Sequence, residues 1–168
     1  ISFGNQVAVG TYTVLATGIA TACTTNMTGS ASISINSNPI AYDVVGGGTL
    51  CPGGSGANIT LAGSQTGITY QLYMGSTPMG TPVTGSGGVL NMGTFTTAGT
   101  YSAVATNTLT GCTTNMSGST TISYLPLPAV YAVTGGGNYC SGGSGSAVGL
   151  AGSQTGITYQ LYNGATVM

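Results

Sequence analysis

The residues in this chain best suited to chemistry are four cysteines, Cys23, Cys51, Cys112 and Cys140, spaced 28, 61 and 28 residues apart. Thiols can hold a metal, act as nucleophiles or pair as disulfides. A zinc site needs closely spaced ligands, and the sequence has neither a C-x-x-C pair nor a histidine. A nucleophilic cysteine needs a cationic neighbour to favour its thiolate, and the chain contains no Lys, Arg or His. Serine and threonine nucleophiles lack a base for the same reason. Asp43 is the one acidic side chain, and 89 residues later its place is taken by Ala132. The expectation is a protein with no catalytic residues, no metal and no cofactor, and hence not an enzyme.

Charge is the abnormal quantity. Soluble domains average roughly 25% charged residues, whereas this chain of 168 residues has 1%. With no cation to neutralise phosphate, nucleic acid and anionic lipid are not expected partners. Apolar residues never run on for the ~18 positions of a membrane helix, so membrane insertion is not expected. A hydrophobic fraction of 41% separates the chain from disordered polar sequences. It should fold.

Behind these residues lies a repeat. Leu61–Tyr73 and Leu150–Tyr162 are the same thirteen residues, LAGSQTGITYQLY, set 89 positions apart. The same offset relates Cys23 to Cys112, Cys51 to Cys140, and TYTVLAT at Thr11 to TYSAVAT at Thr100, with no gap. Proline-containing segments around Pro39 and Pro128 recur once per period and suggest linkers. The expected organisation is the C-terminal half of a repeat (1–38), a complete repeat (39–127) and the N-terminal half of the next (128–168). The window reads as a section of a longer array.

Within the complete copy, apolar and polar residues alternate over short runs punctuated by Gly, the strand signature. Ile59 and Leu61 share a face, as do Ile68, Tyr70 and Leu72, then Leu90 and Met92, then Tyr101, Ala103 and Ala105, then Ile122 and Tyr124. With runs at 41–45 and 79–83, about seven strands are expected, which predicts an all-β fold of tandem immunoglobulin-like β-sandwich repeats. Ala98-Gly99-Thr100-Tyr101 is similar to the turn opening strand F of such domains, where a tyrosine hydroxyl bonds back to the loop backbone. Tyr12 holds the matching place in the first copy. The glycine clusters at 46–48 and 53–56 lack the lysine of a phosphate cradle and are expected to serve as turns.

The strings CPGGSG, LAGSQTGITYQLY and AGTYSAVATNTLTGCTTNM together resemble the immunoglobulin-like repeats of giant type IX-secreted surface proteins and adhesins of gliding Bacteroidota. That resemblance implies an exported bacterial protein, extracellular or on the cell surface, and it brings no catalytic residue with it. In an exported protein the cysteines are best read as disulfides. Three pairings stay open: staples between neighbouring domains, a Cys51–Cys112 bridge within one copy, or Cys23–Cys51 with Cys112–Cys140. The strand order of an immunoglobulin-like domain puts Cys51 and Cys112 at opposite poles, which favours staples. Both are expected in long loops, 46–56 and 107–118.

Missing charges also leave sheet edges without the usual lysines, and near-zero net charge promotes association. Other copies of the repeat are therefore expected as partners, along one chain and between chains. The function expected is a structural repeat of an extracellular filament, stalk or adhesin. One alternative is a glycan-binding module using the outward strip Thr69, Gln71 and Tyr73 on surface polysaccharide. Another is a passive spacer for a distant cargo domain.

Overall fold

The computed structural model describes residues 1–168. It contains strands, turns and irregular segments and no helix, so no helix is long and apolar enough to cross a membrane. The first segment carries β1 (Gly10–Tyr12), β2 (Leu15–Thr17), β3 (Thr24–Asn26) and β4 (Ala31–Ile33). The middle carries β5 (Val44–Gly46), β6 (Gly48–Leu50), β7 (Ala57–Leu61), β8 (Ile68–Met74), β9 (Thr77–Thr84), β10 (Leu90–Phe95), β11 (Gly99–Asn107), β12 (Thr113–Asn115) and β13 (Thr120–Tyr124). The last segment carries β14 (Val133–Gly135), β15 (Val148–Leu150), β16 (Tyr162–Asn163) and β17 (Thr166–Val167).

In the middle, one sheet has the order β10-β7-β5 and the other β6-β13-β11-β8-β9, with β12 added on β11. The two sheets share one core of 13 apolar residues, among them Ile59 and Leu61 from one sheet and Tyr70, Leu72, Tyr101 and Ile122 from the other. The alternation in the sequence accounts for this: β8 buries Ile68, Tyr70 and Leu72 and leaves Thr69, Gln71 and Tyr73 half-buried on its other face. Every buried residue of the molecule lies between Pro39 and Ile122.

Two expected loops contain strands. Within 46–56, β6 crosses to the second sheet and pairs in parallel with β13, Gly48 opposite Ile122 and Leu50 opposite Tyr124. The glycine triplet makes the crossing possible. Gly47 has φ +71°, and a Cβ there would stand 2.6 Å from both Thr120 Oγ1 and the Thr121 carbonyl oxygen. Within 107–118, β12 pairs with the far end of β11, and the chain then bulges at Met116–Ser119 before β13 pairs with its near end. Ser117 uses the bulge to bind the entering chain, its carbonyl accepting from Val44 N at 3.0 Å and its N–H donating to Tyr42 O at 2.9 Å.

The edges are not unprotected. Edge strand β9 carries Pro78 and Pro82, which have no N–H to offer an incoming strand, and its register with β8 shifts between Tyr70 and Leu72. Edge strand β10 is broken in register between Asn91 and Gly93. Proline and bulges do the work that lysine does in charged proteins.

Candidate interfaces and cysteine positions

Tyr101 starts the site description because it fixes one end of the middle unit. Its ring is fully buried, lies 5.5 Å from that of Phe95, and its hydroxyl donates to the Thr97 carbonyl at 2.8 Å. Burial raises the phenol above its ordinary pKa, only partly offset by that hydrogen bond. Tyr70 is raised in the same way, with its hydroxyl accepting from Gln65 N at 2.8 Å. Tyr12 repeats the first arrangement, donating to Ala8 O at 2.7 Å, but on a more exposed ring.

The strand register places the cysteines. Asn107 N donates to Cys112 O at 2.9 Å, so Cys112 sits at the tip of the β11–β12 hairpin. There its Sγ lies 3.9 Å from the carbonyl of Asn36, in the segment entering the unit. Cys51 follows Leu50, which pairs with Tyr124 and whose carbonyl accepts from Leu125 N at 2.8 Å, where the chain leaves. The register puts Cys51 level with Thr96 and Cys112 level with Asn107, a span of roughly 35 Å at ~3.3 Å per residue. A disulfide needs Cα atoms about 4.4–6.8 Å apart. One cysteine thus marks each end of the unit. All four thiols are unbridged in the structure, and Cys23, Cys51 and Cys140 are exposed.

The other sequence candidates fall apart on inspection of their contacts. Asp43 is exposed and meets only Ser117 across a backbone bridge. The strip on β8 has little left to offer a sugar: the Gln71 amide donates to Leu72 O at 2.8 Å and to Met79 O at 3.1 Å, filling the bulge in β9. The Thr69 hydroxyl donates to Thr106 O at 3.3 Å.

Sequence reasoning overlooked two apolar faces in the end segments. One concave surface is lined by Phe3, Tyr12, Val14, Met27 and Ile33, and a second by Val133, Val148, Leu150, Tyr159 and Leu161. Apart from Val148, the counterparts of these residues 89 positions away are core residues of the middle unit. That correspondence was the signal available in the sequence, because half a two-sheet unit must leave its inner face open. No protein-family model matches this chain, and no curated protein or solved structure matches it either.

Proposed function

We propose that this chain is part of a tandem array of immunoglobulin-like β-sandwich repeats with an 89-residue period, organised as 1–38, 39–127 and 128–168. The array builds an extracellular filament, stalk or surface adhesin. The observation that carries this reading is the repetition of strand register. Gly10↔Ile33 and Leu15↔Asn26 in the first segment match Gly99↔Ile122 and Val104↔Asn115 in the middle. Val133↔Leu150 and Tyr162↔Val167 in the last segment match Val44↔Leu61 and Tyr73↔Pro78. The offset is 89 in each case.

Sheets ordered β10-β7-β5 and β6-β13-β11-β8-β9 have the layout of an immunoglobulin-like domain in which the first strand switches sheets. The Tyr101–Thr97 bond has the form of a tyrosine corner. Cysteines at opposite ends, beside the entering and leaving chain, suit disulfide staples between successive domains, each contributing about 2–4 kcal/mol. The resemblance to type IX-secreted surface repeats supplies the setting, a bacterial cell surface where such disulfides persist. The work of the repeat is mechanical: each unit adds length, and staples and short linkers limit bending.

Electron microscopy of the native assembly tests this. An axial rise of about 35–45 Å per unit, one strand length plus a linker, is the expected result. A rise unrelated to a domain length, or a helical diffraction signature, contradicts it.

A further inference from the structure

We propose that the two end segments complete each other between copies: residues 128–168 of one chain and 1–38 of another close into one two-sheet unit built like 39–127. This rests on the repeat reading above and deepens it, because it names the occupant of both open faces as a second copy of this chain.

The strand inventory is complementary. By the 89-residue offset, 128–168 stands for 39–79 and supplies the counterparts of β5–β8, and 1–38 stands for 90–127 and supplies those of β10–β13. In the middle unit these two sets meet along β7–β10, with Leu61 opposite Leu90, and along β8–β11, with Leu72 opposite Ala103. Transposed, Leu150 of one copy pairs with Ile1 of the next, and Leu161 with Val14. All four are open in the single chain, at 39%, 117%, 50% and 37% exposure, where Leu61 and Leu72 are fully buried.

The counterparts of 80–89 are missing from the composite, and they are dispensable. They form the end of edge strand β9 and the loop after it, and Val83 is their one side chain packed on the core.

Closure within one copy is opposed by geometry. The two end segments leave the middle unit at opposite ends, and connections of four or five residues reach only ~15 Å each. Joining the back of one copy to the front of the next is a heterologous contact, which extends into a chain of copies rather than stopping at a dimer.

This arrangement also pairs every cysteine. The exit end of one middle unit, with Cys51, meets the entry end of the composite unit, where the next copy's Cys23 holds the place of Cys112. The exit end of the composite, with Cys140, meets Cys112 of that next copy. Each bridge forms as two thiols give two protons and two electrons to a disulfide oxidant such as oxidised glutathione, which leaves as two thiols.

Sedimentation of the full chain should show species at successive multiples of the chain mass, growing with concentration. After oxidation, peptide mapping should find Cys51 joined to Cys23 and Cys140 to Cys112, each between chains. Leu150→Asp, outside the middle unit, should weaken association about tenfold or more by burying a charge. Ile33→Asp should do the same at the other face. Mixed together, these two variants should form 1:1 dimers and nothing larger, since each retains one working face. A concentration-independent monomer, assembly indifferent to Leu150→Asp, or a Cys51–Cys112 bridge within one copy overturns the proposal. If the chain stays monomeric while a protease-resistant 39–127 unit survives, the repeat reading stands and this proposal falls. If no such unit survives, both fall.

Discussion

Leu61–Tyr73 and Leu150–Tyr162 are the same thirteen residues in two surroundings, and they differ in what the surroundings provide. Local hydrogen bonds are shared. Gln65 N donates to the Tyr70 hydroxyl at 2.8 Å and Gln154 N to that of Tyr159 at 2.8 Å. Ala62 N donates to Asp43 O at 2.9 Å and Ala151 N to Ala132 O at 2.9 Å. Strand formation is not shared: Ile68–Met74 is a continuous strand between β9 and β11, whereas in the last segment only Tyr162–Asn163 pairs. Burial differs most. Leu61 and Tyr70 are fully buried, but Leu150 and Tyr159 are 39% and 43% exposed. Turn chemistry is therefore written into the thirteen residues themselves. Strand and core come from the partner sheet, at roughly 1.5–3 kcal/mol for each large side chain it covers.

The sharpest way to break this comparison is to make one substitution in both copies. Leu61→Ala should destabilise the middle unit by about 2–5 kcal/mol, the cost of a cavity in a closed core. Leu150→Ala should leave that unit unchanged within about 0.5 kcal/mol. Urea unfolding of the monomeric chain at low concentration measures both, and equal losses would mean that the last segment shares the core. Gly47→Ala comes next. It forces a side chain into positive φ against Thr120 and Thr121, at an expected cost of about 1–3 kcal/mol. Its counterpart Gly136 has φ +77° but no atom within 4 Å of a Cβ, so Gly136→Ala should not register in the same measurement. Tyr101→Phe is smaller, about 1 kcal/mol for a hydrogen bond whose acceptor stays in place. Tyr12→Phe, on a ring no second sheet covers, should be silent.

How much of this was legible follows from the same contrast. Alternation on β8 and β11 identified the core side chains, because period-two burial leaves its mark residue by residue. The offset of 89 was legible as identity of letters. The crossing at Gly46–Gly48 was not, since a glycine triplet signals unusual φ without saying which sheet receives the next strand. That choice is made by β13, more than seventy residues away. β12 escaped for a like reason: Thr113-Thr114-Asn115 has no apolar alternation, and pairing with the polar end of β11 defines it. The edges were misjudged because lysine was the only guard sought, while Pro78 and Pro82 stood in plain sight. The open faces needed the complete unit as a template before Val14 or Leu161 could be recognised as half of a core.

The smallest expected effect concerns pH and salt, and it follows from the composition. Tyr70 and Tyr101 hold their protons more tightly folded than unfolded, because burial disfavours the phenolate. A group whose pKa is raised on folding contributes stability that is complete below its unfolded value, near 10 for a phenol, and is lost as pH rises through the folded value. Stability should accordingly be flat from about pH 5 to about pH 9 and decline only in stronger alkali, where the unfolded chain sheds those protons first. Tyr101→Phe and the corresponding change at Tyr70 should each shallow that alkaline decline. With no Lys, Arg or His, no side-chain ion pair exists to be screened, so the melting temperature should shift by less than about 2 °C between dilute and moderate sodium chloride. A larger shift would reveal a charge dependence that the middle unit, closed by apolar contact and hydrogen bonds, has no side chains to supply.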